Sequence, residues 1–226
     1  MPGFGPEDRG YRNHHNGVPR QLSLLLERSH GCGASIISSS WALTAAHYID
    51  GISASLLTVR AGSTYRNSGG TVLAVAQAIK HRLYSIADYD IAVVQPAESF
   101  PLGSDLQPVG LPDAGYDPPN GLAVTVTGWG TTASGGTSAS ALMKVDINII
   151  ERSTCREHMG SLVSKRMVCA GEAGKSVCNG DSGGPLVSGT THVGIVSWGG
   201  FTCEGYGAVY TNIGELRSCV TNTTGV

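Results

Sequence analysis

Residues 178–187 read CNGDSGGPLV, in which Ser182 stands between glycines, follows an aspartate and precedes an apolar segment. Glycines let the backbone turn sharply and leave its N–H groups free. A nucleophilic serine needs such a setting, with an exposed hydroxyl and with amides that face the oxyanion formed in the reaction. Taken alone, however, the stretch fits a tight hairpin in which Ser182 only caps a turn, so a catalytic interpretation depends on the rest of the chain.

Length and composition indicate an all-β protein. The 226 residues suit one large β domain or two small barrels. Glycine contributes 32 residues, which is about twice its usual share of ~7%. This favours many short strands joined by tight turns over a helical protein. The net charge of −2 gives no electrostatic reason to expect binding to nucleic acid or to an anionic membrane.

Turn signals divide the chain into two series of strands. The first series is predicted at residues 21–27, 34–37, 41–44, 56–61, 71–81 and 91–95. Residues 109–121 are rich in Pro and Gly and suit a linker. The second series is predicted at residues 122–128, 142–150, 167–170, 185–187, 192–198 and 208–210. The only predicted helix covers Ile213–Val220, with Asn212 as its cap.

Features of cellular location are few. No apolar run is long enough to span a membrane. The segment Leu22–Leu26 is too short for a signal peptide and lacks a cleavage site, so we predict a buried strand there. The six cysteines do not have the paired spacing of a zinc site, which favours an oxidising compartment.

A serine nucleophile needs a base, and the base needs an orienting acid. His47 follows a strand-like segment and has small neighbours, which would give its imidazole room to face a cleft. Asp90 leads directly into an apolar run, where a buried carboxylate must find a partner such as a histidine N–H. Asp88 is the competing acid, but it lies two residues further from that run. Each of these residues alone is more often structural, so the signal lies in their joint context.

Several motifs together resemble the chymotrypsin/trypsin family of serine proteases over roughly residues 17–220. They are TAAH at 44–47, GWG at 128–130, DIA at 90–92, GDSGGP at 180–185, SWG at 197–199 and VY at 209–210. The order His, Asp, Ser is also the family's. An α/β-hydrolase shares the pattern Gly-x-Ser-x-Gly, but its acid and histidine follow the serine in that order. No aspartate follows Ser182, and the glutamates that follow it come after the last histidine. The order required of an α/β-hydrolase is therefore absent, which excludes that family.

The resemblance implies two six-stranded antiparallel β-barrels with a short C-terminal helix and an active-site cleft between the barrels. An N-terminal arm would cover residues 1–16 and the protease domain residues 17–226. Within that domain we expect the first barrel at 17–108, the linker at 109–121, the second barrel at 122–212, and the helix and tail at 213–226.

The resemblance also implies catalytic roles. Ser182 would be the nucleophile, His47 the general base and then the acid, and Asp90 the residue that orients the imidazole. The backbone N–H groups of Gly180 and Ser182 would form the oxyanion hole. An extended substrate would pair with the segment Ser197, Trp198 and Gly199 by β-augmentation.

Specificity would depend on the primary pocket, whose floor the resemblance places at Ser176. Trypsins carry an aspartate there, whereas a neutral residue favours chymotrypsin-like cleavage after large apolar residues. Gly199 would keep one wall open, and Ala208, where glycine is usual, would narrow the floor. We therefore expect Leu, Met, Phe or Tyr before the cut, with Trp disfavoured by about 1–3 kcal/mol. Glu204 is close enough in sequence to admit some basic substrates.

The chain departs from the family at its N-terminus. Mature members begin with Ile-Val-Gly-Gly, and their terminal ammonium inserts beside the acid that precedes the nucleophile, here Asp181. Residues 7–10 read EDRG at the matching place, so Asp181 is expected to lack this partner. His30 occupies the position at which some zymogens hold the acid in an inactive pairing, although an ordinary strand histidine is the alternative.

The cysteines also depart from the family pattern. The resemblance implies the disulfides Cys155–Cys169 and Cys178–Cys203. Tyr48 replaces the cysteine that normally pairs with Cys32, so Cys32 is expected to be a buried free thiol. Cys219 has no partner in the family. A Cys32–Cys219 bond is the alternative, which the family fold opposes because it would place the two residues apart.

We expect neither a metal nor a cofactor. Residues 51–87 contain no Asp or Glu, and the family's calcium loop would need such oxygen ligands there. The expected protein is a secreted, monomeric serine endopeptidase that acts on protein or peptide substrates and binds protein inhibitors. The alternatives are a catalytically silent homologue that binds proteins in the same cleft, and an unprocessed precursor.

Overall fold

The computed structural model describes residues 11–12, 18, 20–86, 88–200, 202–203 and 205–226, with residues 11–12 described as backbone only. The described part contains thirteen strands and three α-helices. The strands are β1 Tyr11–Arg12, β2 Gln21–Leu26, β3 Ser29–Ile36, β4 Ala42–Thr44, β5 Leu57–Ala61, β6 Thr71–Lys80, β7 Ala92–Pro96, β8 Ala123–Gly128, β9 Met143–Ile150, β10 Met167–Gly171, β11 Pro185–Ser188, β12 Thr191–Gly199 and β13 Ala208–Asn212. The helices are α1 Ala46–Ile49, α2 Arg152–Met159 and α3 Ile213–Thr224.

The first barrel is a closed sheet in the order β2-β3-β4-β7-β6-β5. Side chains alternate along β5, where Leu57, Val59 and Ala61 are buried and the residues between them are partly exposed. This period of two is what a strand with one buried face requires. Strand β4 ends at Thr44, and α1 starts two residues later, so the chain turns at the rim of the barrel where His47 lies.

The second barrel closes in the order β8-β9-β10-β13-β12-β11, with β11 pairing back onto β8. Strand β1 adds to the outer edge of β9, with Tyr11 opposite Lys144. Residues 193–196 of β12 are all buried. One face of this strand packs into the interior of the second barrel, and the opposite face packs against the first barrel.

Apolar residues from both barrels and α3 form one shared cluster, which includes Leu43, Ile91, Ile195 and Ile213. Fully burying such a side chain contributes about 1.5–3 kcal/mol. Helix α3 begins where the side chain of Asn212 accepts a hydrogen bond from the Glu215 N–H at 3.4 Å. The shared cluster fixes the two barrels relative to each other and thereby positions the cleft.

The prediction of two six-stranded antiparallel barrels and a C-terminal helix is confirmed. The prediction that only the C-terminal segment is helical was wrong, because α1 and α2 also form. Helix α2 is polar, and Cys155 is its only buried residue. It therefore lacks the apolar periodicity on which a sequence-based prediction depends. The predicted arm, apart from Tyr11 and Arg12, and the EDRG segment at 7–10 lie outside the described residues.

Candidate active site

His47 and Asp90 are joined by two hydrogen bonds at the cleft. The imidazole Nδ1 of His47 lies 2.8 Å from Asp90 Oδ2, and the His47 backbone N–H donates to Asp90 Oδ1 over 2.8 Å. A carboxylate only accepts, so Nδ1 carries the proton and a neutral imidazole presents Nε2 as a proton acceptor. This tautomer is the one that a general base needs.

Asp90 is buried, and its pKa reflects its partners. Burial alone would raise this pKa, but the hydrogen bonds from His47 and Ser197, together with the charge of His47, hold it below its ordinary value. Ser197 Oγ donates to Asp90 Oδ2 over 2.5 Å, and Thr211 Oγ1 donates to the Asp90 carbonyl over 2.7 Å. Both donors belong to the second barrel. The family resemblance assigns Ser197 to the substrate-binding segment and not to Asp90, and no sequence signal marks Thr211 as a partner of Asp90.

The alternative acid, Asp88, has a different partner. Its carboxylate accepts from Arg166 Nε at 2.9 Å. Of the two aspartates, Asp90 is therefore the one that pairs with His47, and it is also the one that leads directly into the buried strand β7.

Ser182 lies on a turn that is pressed against the first barrel. Its carbonyl accepts from the Gly33 N–H over 2.7 Å. Gly183 has φ +77°, and a Cβ there would lie 2.3 Å from Thr44 Oγ1, so only glycine fits. Thr44 ends the strand that leads to His47. No hydrogen bond joins Ser182 to His47 among the residues described; such contacts often tighten only when substrate binds.

The backbone carbonyl of Gly180 forms a hydrogen bond with His30. Its oxygen lies 3.2 Å from His30 Nε2, while His30 Nδ1 lies 2.7 Å from Ser23 Oγ. A carbonyl only accepts, so Nε2 carries the proton and Nδ1 accepts from the serine. Burial lowers the pKa of His30, which favours this neutral form. His30 thus bonds to Gly180, and no hydrogen bond from it to Asp181 occurs in the described part of the chain.

The Asp181 carboxylate accepts from the N–H groups of Gly130 at 2.8 Å and Cys178 at 3.0 Å. The residue keeps some exposed surface, but its carboxylate oxygens point inward. A Cβ on Gly128 would lie 2.1 Å from Oδ1, and one on Gly130 would lie 2.4 Å from Oδ2. This contact explains both glycines of the GWG motif. Burial raises the pKa of Asp181 to about 6, despite the two N–H donors.

The residues expected around the specificity pocket lie in two places. Ser176 is half-buried and lines a cavity of about 60 Å³ that also contains Asp181. On the neighbouring strands, Gly199 faces Ala208, with 3.6 Å between a Cβ built on the glycine and that of the alanine. Neither of these two residues lines the Asp181 cavity in the described structure. Glu204 lies outside the described residues.

The structure contains the two disulfides expected from the resemblance, Cys155–Cys169 and Cys178–Cys203. Cys32 is buried and free, and Cys219 is half-buried and free. Burial raises the pKa of Cys32 to about 12. A Cβ on Gly31 would lie 1.7 Å from the Tyr48 hydroxyl, so the tyrosine packs against the residue before Cys32, and it also packs against the apolar cluster that contains Cys32.

No group of three or more His, Cys, Asp or Glu side chains is arranged to hold a metal ion among the described residues. None of the described helices is long and apolar enough to cross a membrane.

Comparison with known proteins identifies the family. A Trypsin family model matches residues 8–220. Trypsin alpha of Drosophila melanogaster is 44% identical over 91% of this chain and 82% of its own length. Trypsin alpha-4 of Lucilia cuprina is 43% identical over 89% of this chain and 81% of its own length.

Solved structures agree with the fold. Mouse neuropsin, described as a serine protease expressed in the limbic system of the brain, superposes with a TM-score of 0.87 at 29% identity, covering 95% of this chain and 98% of its own. An inactivated protease paralogue of the scabies mite has the same fold, with a TM-score of 0.90 at 24% identity and 96% coverage of each chain. With the family model spanning both barrels, this chain belongs to the trypsin family of serine proteases.

Proposed function

We propose that this protein is an active serine endopeptidase that cleaves protein or peptide substrates through an acyl-enzyme. Ser182 is the nucleophile, His47 the base and Asp90 the orienting acid. The observation that carries the proposal is the double hydrogen bond between His47 and Asp90, which leaves Nε2 of the neutral imidazole free to accept a proton. A buried acid in this relation to a histidine has a direct use in catalysis.

The proposed reaction has two stages. His47 Nε2 takes the proton from Ser182 Oγ as the oxygen attacks the scissile carbonyl, and the N–H groups of Gly180 and Ser182 stabilise the resulting oxyanion. His47 then gives the proton to the leaving amine. Water, activated by the same imidazole, hydrolyses the acyl-enzyme. Asp90 stays ionised throughout, in keeping with its lowered pKa.

We further propose cleavage after large apolar residues, with Leu, Met, Phe and Tyr preferred over Trp. The relatives above are named trypsins, and trypsins bind Lys or Arg through an aspartate at the position of Ser176. A neutral serine cannot supply that charge, and the methyl group of Ala208, which lies opposite Gly199, would restrict a bulky ring. One methyl group changes such a preference by only about 1–3 kcal/mol, so the preference should be graded.

A panel of peptide substrates that differ only in the residue before the cut tests this specificity. We expect kcat/KM for Phe and Leu to exceed that for Arg, and we expect Ser176→Asp to reverse the order. Rapid cleavage after Arg by the unaltered protein would reject the apolar assignment without rejecting the protease.

The two disulfides support a further proposal, that the protein is secreted into an oxidising environment.

The rival function is a silent homologue that binds proteins in its cleft. It is favoured by the missing hydrogen bond between Ser182 and His47 in the described structure, and by a buried Asp181 whose carboxylate accepts only from backbone N–H groups there. A catalytically silent protein would not react with a fluorophosphonate at Ser182, whereas an active one would.

A further inference from the structure

Four residues beside Asp90 connect the two barrels: His81, Asp88, Tyr89 and Arg166. The first three lie on the segment that joins β6 to β7, and Arg166 directly precedes β10 in the second barrel. We refer to these four residues as the Arg166 clamp. Tyr89 immediately precedes Asp90, so the clamp acts on the backbone that carries the candidate acid.

Arg166 forms a bidentate ion pair with Asp88, in which two guanidinium nitrogens donate to the carboxylate. Its Nε lies 2.9 Å from Oδ1 and 3.1 Å from Oδ2, and its Nη2 donates to Oδ2 as well. Both side chains are about one-quarter exposed, and a pair of this kind adds little stability in water. Its planar, two-armed geometry nevertheless fixes orientation in a way that a lysine could not.

Arg166 is itself anchored to the second barrel. Its carbonyl accepts from the Asn212 N–H at 2.8 Å, at the point where β13 meets α3. On the other side of the pair, Asp88 Oδ1 accepts from the Tyr89 N–H at 2.8 Å. The ion pair therefore links a fixed point of the second barrel to the backbone adjoining Asp90.

Tyr89 needs such support. Its φ is +53°, a left-handed conformation that a bulky residue rarely adopts and that costs about 1–3 kcal/mol. The Arg166 guanidinium carbon lies 4.4 Å from the centre of the Tyr89 ring. The His81 ring stacks on Tyr89 at 4.6 Å with 15° between the planes. These contacts restrain the Tyr89 ring, and the restrained ring stabilises the unfavourable left-handed backbone conformation of Tyr89.

We propose that Tyr89 and Arg166 are positioning residues: Arg166 acts on Tyr89 from the second barrel, and Tyr89 fixes the Asp90 carboxylate against His47. The inference rests on the proposed function, because it assigns these residues a part in the Ser182 reaction. Asp90 is then held by Ser197 and Thr211 directly and by Arg166 through Tyr89. Loosening the clamp should move the carboxylate and weaken the His47–Asp90 hydrogen bond while the substrate-binding surface stays in place.

Three variants and one control test the clamp. Arg166→Met keeps the length of the side chain but removes the guanidinium. Tyr89→Asn keeps a residue that tolerates positive φ but removes the ring, and Tyr89→Phe keeps the ring. The control is Lys165→Met, which removes the neighbouring Lys165–Glu215 ion pair, 2.9 Å in length, and leaves the four side chains of the clamp unchanged.

Kinetics give the first readout. We expect Arg166→Met and Tyr89→Asn to lower kcat by roughly 10- to 100-fold, the cost of a small misplacement of a catalytic group, with KM nearly unchanged. Tyr89→Phe, which keeps the ring, should recover most of the kcat that Tyr89→Asn loses, and Lys165→Met should stay within about twofold of the unaltered protein. Unchanged kcat in both loss variants, even with a lower melting temperature, would reduce the clamp to a purely structural role and overturn the proposal.

A second readout does not need activity. The His47 Nδ1 proton, held by Asp90, should give a strongly downfield proton NMR signal in the unaltered protein and in Tyr89→Phe. We expect that signal to broaden or disappear in Tyr89→Asn. If the unaltered protein proves inactive, the proposed function fails, while loss of the signal in Tyr89→Asn still supports the clamp. Retention of the signal in that variant would overturn it.

Discussion

His30 donates a hydrogen bond from Nε2 to the carbonyl oxygen of Gly180 over 3.2 Å, which ties the first barrel to the loop that carries the proposed nucleophile. We expect His30→Leu to lower kcat by about tenfold with little change in KM, less than the ~10²–10³ lost with an oxyanion donor itself. His30→Gln, which can still donate, should recover part of the rate. Steady-state kinetics check this, and a change confined to KM would contradict it.

Asp181 should respond to an added ammonium group. Its pKa of about 6 leaves it mostly ionised at pH 7 in a buried place, and the family fills that place with an Ile-Val terminus. We expect the dipeptide Ile-Val to raise kcat/KM and to stabilise the fold, by about 1.4 kcal/mol at ten times its Kd. N-acetyl-Ile-Val has no ammonium and serves as the control. Equal effects of both dipeptides, or none, would contradict the expectation.

His192 should make the fold sensitive to acid. Burial lowers its pKa to about 3 from an ordinary value of 6.5. Between these values the unfolded chain binds the extra proton, so this contribution is fully present above pH 6.5 and declines as the pH falls. The slope approaches about 1.4 kcal/mol per pH unit.

The measurement is the free energy of unfolding of the unaltered protein and of His192→Gln between pH 7 and pH 4. The gap between the two should shrink as the pH falls. Asp181 acts in the opposite direction, since its raised pKa gives stability at low pH that is lost as the pH rises through about 6. Asp181 is present in both proteins, so its effect cancels in the comparison. A gap that is constant with pH would refute the role of His192.

Tyr48→Cys should restore the disulfide that the family pattern has at Cys32 and that this chain lacks. The Tyr48 ring already packs against Gly31, the residue before Cys32, and against the apolar cluster that contains the buried Cys32. Closing a loop of this length stabilises a protein by about 3 kcal/mol through the entropy of the unfolded chain. Thiol titration should show both cysteines consumed, and the melting temperature should rise. In a Cys32→Ser background the gain should vanish; a gain that persists there would argue against the bond.

Much of the fold and the central pair could be predicted from the sequence because their signals are local. Alternating apolar residues and turn signals placed the strands of both barrels. The position of Asp90 directly before an apolar run distinguished it from Asp88, and the pairing with His47 is found in the structure.

What could not be predicted depends on contacts between distant residues. Thr211 and Asp90 are 121 residues apart, and His30 and Gly180 are 150 apart. No spacing or composition signal marks such pairs. Arg166 looked like any exposed cation in the sequence, and its partner Asp88 looked like an alternative catalytic acid. Helix α2 was missed for a different reason, since it buries too little apolar surface to show a helical period.

Labelling of the purified protein with a fluorescent fluorophosphonate tests the central claim most directly, with Ser182→Ala and His47→Ala measured beside it. We predict a single labelled serine, identified as Ser182 by peptide mapping, and loss of labelling in both variants. Absence of label in the unaltered protein both alone and after addition of Ile-Val would contradict the proposed triad and leave the silent binding homologue as the better description.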